Sequence, residues 1–159
     1  GLVNQALVAL GLADRPIAIL FTETAIIIGL AYILVPFMVL TIAAVLQTID
    51  RSLVEASLDL GSSRLATFFN ITLPLSLPGV IAGSLIVFTL AVSAYVVPAI
   101  MSGGRIIVAA MPIFDNYSTL FNFNFGAALA ISLLIVTLIL ITLYLLFIER
   151  GSAKAARRS

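Results

Sequence analysis

The sequence predicts an all-α fold, a polytopic bundle of transmembrane helices, and three observations carry that prediction. Of 159 residues, 62% are hydrophobic and 9% are charged, against about a quarter charged in an ordinary soluble domain. Three uncharged apolar runs are each long enough, at roughly 20 residues, to cross a hydrocarbon core of about 30 Å as a helix. So few charges cannot cover a water-soluble surface.

In chain order, residues 1–23 read as an external segment. Leu2, Ala6, Leu7 and Leu10 share one side of a short interfacial helix, and Gly11 and Pro16 break it. Position 1 is Gly rather than Met. No basic start with a short apolar core and a small-residue cleavage site appears near it, so the chain reads as beginning in the interior of a longer one. The first span covers 25–46, bounded by Glu23 before it and Asp50 and Arg51 after it, with Pro36 inside as a kink. The second covers 78–97 and stops at Pro98. The third covers 126–147, with Tyr144 as an interfacial residue near its end and Glu149 and Arg150 beyond.

Flanking charge orients these spans, because short cytoplasmic loops collect Lys and Arg. Arg51 and Arg64 lie between the first two spans, and Arg150, Lys154, Arg157 and Arg158 lie after the third. The other side carries Arg15 and Arg105. Six against two places the 47–77 loop and the 148–159 tail in the cytoplasm, with 151–159 a disordered basic stretch near anionic lipid. The 98–125 loop is expected to be external and to hold a short helix or a strand-like piece; Asp115 and Asn116, like Glu23 before the first span, read as solvated residues.

Composition also excludes function classes. Eight Lys and Arg nearly cancel seven Asp and Glu, which leaves no basic field for nucleic acid. Cysteine and histidine are absent, removing disulfides, thiolate nucleophiles, imidazole bases and the usual zinc ligands, so no metal and no cofactor is expected. Gly103 and Gly104 precede Arg105 without the spacing of a phosphate-cradling loop, and any ATP must be handled by another chain. The spans hold no acid, base or activated nucleophile, so no catalytic residue is assigned and the chain is not read as an enzyme.

The 47–77 loop is long for a connection in a bundle, and such loops are commonly functional. Ser52 with Glu55 three residues later has the form of a capping box. Leu53, Ala56 and Leu60 recur at helical spacing opposite a polar side of Arg51, Glu55 and Asp59, and Gly61 suits the left-handed residue that ends a helix. Ser62 or Ser63 can cap a second helix holding Leu65, Phe68, Phe69 and Ile71, expected to stop before Pro74.

In this loop Glu55, Ala56, Ser57, Gly61, Ile71, Leu73 and Pro74 stand at the spacing of a known motif. The pattern resembles the EAA loop of bacterial ABC importer permeases; only Ser57 departs, where Ala is usual. The resemblance runs along nearly the whole chain, through the 79–88 continuation and the Phe125, Gly126, Ala127, Ala128 entry to the last span, and looks closest to permeases of spermidine and putrescine importers. It implies a six-helix permease of which the last three helices appear here. It also implies a second permease subunit, cytoplasmic ATP-binding subunits, an external substrate-binding protein and a bacterial inner membrane as partners and setting. In that family the first loop helix docks into the ATPase, so nucleotide-driven closure becomes a tilt of membrane helices. Glu55, Ala56, Ser57, Asp59, Gly61, Ile71, Leu73 and Pro74 are the coupling residues this implies.

Three features stay open at this level. The small residues Ala82, Gly83, Ser84, Ala91, Ser93 and Ala94 point to close helix packing in the second span, while Thr89, Ser93 and Tyr95 instead suit a translocation path. Glu23, Asp115 and Asn116 have, besides the solvated reading, a second one as guidance for a cationic solute or contact with a binding protein. The loop helix has a second reading as a helix lying on the membrane surface, although such helices carry Lys and Arg where this one carries Glu55 and Asp59. Two other classes remain: half of an ion-coupled secondary transporter, which calls for ionisable groups in mid-membrane, and a noncatalytic membrane scaffold subunit.

Overall fold

In a computed structural model of the chain, which describes residues 9–11 and 20–156, every regular element is helical. Helix α1 spans Glu23–Leu46; the Thr22 hydroxyl caps it by accepting from the Ala25 amide at 3.3 Å. Glu23 in its first turn complements the positive end of the helix dipole. Pro36 lies inside α1 without ending it.

After α1 come α2 (Arg51–Asp59), α3 (Arg64–Thr67), a π-helical turn over Phe68–Thr72 and α4 (Leu73–Ser93). The stretch Arg64–Ser93 forms one rod of 30 residues. The expected stop before Pro74 and the expected span start at 78 are both corrected here. The Leu73 amide reaches back five residues to the Phe68 carbonyl, and this π turn resets the register so that Pro74 falls in the first turn of α4.

The second span also ends earlier than 97. Ala94 is extended at ψ 122°, and a new helix, α5 (Val96–Ser102), begins after Tyr95. Pro98 then lies in the first turn of α5, where proline fits. The 98–125 stretch holds helix rather than strand, with α6 at Ala110–Ser118. Asn116, expected to be solvated, is buried on α6 and donates from Nδ2 to the Pro112 carbonyl at 2.7 Å.

Helix α7 runs Phe123–Ala156, beginning three residues before the expected 126 and continuing through much of the tail read as disordered. Asn122 starts it, accepting the Phe125 amide on its side chain and the Gly126 amide on its carbonyl. The residues beyond Phe147 are largely good helix formers, and only Gly151 opposes continuation. The interfacial helix anticipated over 1–23 falls mostly outside the described residues.

Glycine decides the packing between α1 and α4. A Cβ at Gly79 would sit 3.0 Å from Val45, and one at Gly83 would collide with the Thr41 hydroxyl and the Met38 sulfur. With Gly79 and Gly83 four residues apart on one face, the two backbones approach as membrane helices with small-residue seams do. Gly29 on α1 meets Val97 of α5 in the same way. Just before α1, Phe21 donates its amide to the Met101 carbonyl; its ring packs closely on Gly103, and the Arg105 guanidinium lies over it, 5.4 Å from the ring centroid.

Helix α7 stands apart from this unit. It meets α6 where Gly126 lies under the Tyr117 ring, and α4 where Ser84 Oγ and Tyr144 OH share a 2.6 Å hydrogen bond. Tyr144 is thus engaged within the bundle, not only at an interface. Three helices, Glu23–Leu46, Arg64–Ser93 and Phe123–Ile148, are long and apolar enough to cross a membrane. The buried apolar side chains among the described residues are Ala25, Ile26, Leu34, Pro98 and Met111. So small a core suits a chain whose apolar faces meet lipid and further helices rather than water.

Candidate functional site

The loop between α1 and α4 is built from local signals that follow one another without a gap. Asp50, not Ser52, caps α2: its carboxylate accepts the Ser52 amide at 2.9 Å, and the helix begins at Arg51. This corrects the capping-box reading. A carboxylate at the positive end of a helix is a stronger acceptor than a hydroxyl, and the bond holds the Asp50 carboxyl below its ordinary pKa.

The other end of α2 is a Schellman motif. Gly61 adopts φ +86°, its amide donates to the Leu58 carbonyl at 2.9 Å, and the Ser62 amide donates to the Ser57 carbonyl at 3.1 Å. Ser63 then caps α3 by accepting from the Ala66 amide at 3.2 Å. The turn folds α2 back so that Ser57 Oγ meets Thr67 Oγ1 at 3.0 Å, with Thr67 only 3% exposed. Val54 and Ser57 are the half-buried positions of α2.

The apolar stripe read from the sequence points the other way. Leu53, Ala56 and Leu60 are exposed, Leu60 at 88%, beside exposed Glu55 and Asp59. The structure therefore gathers Glu55, Ala56, Ser57, Asp59 and Gly61 on α2 and its C-terminal turn. Ile71, Leu73 and Pro74 are not on that surface; they occupy the π turn and the first turn of α4. Asp50 and Thr67 were missed, although an Asp just before the amphipathic run was a legible cap signal. Thr67 gave no such signal, because its partner lies ten residues away.

The proposed path residues do come together. Thr89, Ser93 and Tyr95 line one cavity of about 500 Å³ between α4, α6 and α7, with Phe114, Tyr117 and Thr137 on its other walls. The Tyr95 and Phe114 rings stack with centroids 4.0 Å apart at 23°. Below it, Ser84, Phe88 and Tyr144 border a second cavity of about 280 Å³ between α4 and α7. Phe114, Tyr117 and Thr137 could not be singled out in advance, since only the fold brings α6 and α7 to α4.

Comparison with known proteins agrees with this architecture. Residues 6–151 match the family described as binding-protein-dependent transport system inner membrane component. The spermidine/putrescine transport system permease protein PotB of Escherichia coli is 40% identical over 144 residues, covering 91% of this chain and 52% of that protein. Its namesake in Haemophilus influenzae is 37% identical over the same length, covering 91% of this chain and 50% of that protein. The inner membrane ABC transporter permease protein YdcU of Escherichia coli is 35% identical over 122 residues, 77% of this chain and 37% of that protein. The chain spans about half the length of the PotB proteins it matches. With a family match across nearly all of its residues and three helices suited to crossing a membrane, the chain belongs to the inner membrane components of binding-protein-dependent transport systems.

Proposed function

We propose that this chain carries the last three helices of a permease subunit in an ATP-driven importer, and that the solute is a small polyamine such as spermidine or putrescine. The observation that supports this most directly is the geometry of α2. Its half-buried positions are Val54 and Ser57, with Ser57 bonded to Thr67 at the start of the α4 rod, and its apolar stripe of Leu53, Ala56 and Leu60 is left uncovered between Glu55 and Asp59. A stripe of that kind on a helix facing the cytoplasm suits a groove on an ATP-binding subunit.

In this reading Glu55 makes the polar contact to the ATPase, Gly61 sets the angle of the lever, and Ser57 passes its motion to the rod. Ile71, Leu73 and Pro74 transmit it onward through the π turn into α4. Thr89, Ser93 and Tyr95 border the solute path, which a second permease subunit and further helices of the same subunit complete. An external binding protein delivers the solute, and lipid covers the remaining faces. The cytoplasmic side follows from the Lys and Arg of the 47–77 loop and the tail. The polyamine class follows from relatives named for spermidine and putrescine.

The test is ATP-driven uptake of labelled putrescine into liposomes holding the complete transporter. Glu55→Lys and Gly61→Val should each abolish uptake with the subunit still inserted, while Ser62→Ala should retain it. A β-branched residue in the left-handed region costs about 1–2 kcal/mol, and losing a charge-assisted contact costs about 1.5–3 kcal/mol. Full uptake in both variants would overturn the coupling role of α2.

A further inference from the structure

The larger cavity has a wall of one hydrogen-bonding sign. Thr89 Oγ1 donates to the Leu85 carbonyl at 2.8 Å, Ser93 Oγ to the Thr89 carbonyl at 3.1 Å, and Thr137 Oγ1 to the Leu133 carbonyl at 2.7 Å. Each hydroxyl proton is committed inside its own helix, so these residues have lone pairs to offer, not protons. The hydroxyls come from two facing helices, α4 and α7, and among the described residues no Asp, Glu, Lys or Arg lines the space between them.

Aromatic rings supply the second element. Tyr95 and Phe114 stack on each other, which leaves one face of each ring uncovered by its partner, and Tyr117 lines the same cavity. Ring faces carry negative quadrupole charge and attract ammonium groups, most strongly where water is displaced. The remaining wall, including Val92, Ile113 and Leu134, is aliphatic.

We propose that this cavity is a binding site for a primary alkylammonium group and its methylene chain. The ammonium donates to the oxygens of Thr89, Ser93 and Thr137 and lies against the Tyr95 and Phe114 rings, and the chain follows the aliphatic wall. An anion there would meet no cation, and only tyrosine hydroxyls as donors. Neutral oxygens and ring faces hold an ammonium weakly, as a transit site must if the solute is to leave it. This deepens the permease reading and rests on it, naming the groups that recognise the solute.

Two measurements on the complete transporter test the site. The first is initial uptake of labelled putrescine by Tyr95→Leu, Phe114→Leu and Thr137→Val, with Thr142→Val on an exposed part of α7 as control. Each cavity variant should lose about 3- to 30-fold in rate. Tyr95→Phe and Phe114→Tyr, which keep the rings, should recover most of it, and ATP hydrolysis stimulated by the loaded binding protein should persist throughout. Wild-type rates in the Leu variants would overturn the cavity assignment and leave the importer reading standing. No ATP-driven uptake by the unaltered transporter would sink both.

The second measurement uses the absence of cysteine from this chain. Ser93→Cys should react with a small cationic methanethiosulfonate, and putrescine should slow the reaction where 1,4-butanediol does not. A thiol that never reacts would mean that the rest of the transporter fills the cavity, and would overturn the site.

Discussion

Ser57 Oγ lies 3.0 Å from Thr67 Oγ1, a side-chain bond between the loop helix α2 and the start of the rod that becomes α4. Alanine, usual at this place in the EAA pattern, cannot make it. The bond lies on the inner face of α2, so it governs how firmly the helix is held rather than what it presents. Thr67 is buried, and a buried hydroxyl that loses its partner costs more than the bond itself contributes.

The first prediction follows from that asymmetry. Ser57→Ala should destabilise the α2 arrangement by about 1 kcal/mol, seen as roughly fivefold faster amide exchange in Arg51–Asp59. Pairing it with Thr67→Val, which replaces the hydroxyl by a methyl of similar shape, should restore most of the protection. Equal exchange in all variants would mean the bond holds nothing.

A second prediction concerns pH at the Asp50 cap. Its pKa is lowered by the Ser52 amide below the usual 3.8, so the ionised form is the one that supports α2. That support is complete above the ordinary carboxylate value and is lost as pH falls through the lower folded-state value. Exchange in α2 should therefore rise relative to Asp50→Asn, which caps without titrating, only below about pH 3.8. At neutral pH, equal protection in the native chain and Asp50→Ala would rule out the cap.

Packing of α1 on α4 gives a third. Gly83→Leu drives a side chain into Thr41 and Met38 and should cost about 1–3 kcal/mol, as overpacking does, lowering the unfolding temperature in detergent. Ala82→Leu, one residue along and exposed, should leave it unchanged. A similar drop in both would mean that α4 dislikes bulk anywhere and that the glycine seam is not special.

The fourth tests orientation, which rests on six cationic residues against two. An impermeant thiol reagent added outside sealed cells should label Asp115→Cys on α6 and spare Ser57→Cys. The reverse pattern would invert the topology and remove α2 from the reach of a cytoplasmic ATPase.

Much of this protein was legible in one dimension because its decisive signals are local. Three apolar runs, the Gly61 stop and a serine start just after it depend on neighbours within a few residues; the runs appear as long helices with shifted ends, Gly61 closes α2, and Ser63, of the two serines open to that role, caps α3. Pro74 and Pro98 were read as boundaries, but a π turn and a new helix start bring both into helical first turns. Proline fixes only which hydrogen bond is missing, not how the chain accommodates the loss. What only the tertiary structure decided are pairings distant in sequence: Gly83 with Thr41, Ser57 with Thr67, Ser84 with Tyr144, and the meeting of Tyr95 with Phe114 and Thr137 around one cavity. Helices apolar on every side carry no stripe that marks the partner face, so the choice of neighbour falls to shape, to a missing Cβ or a hydroxyl that fits, and shape is a property of two helices together.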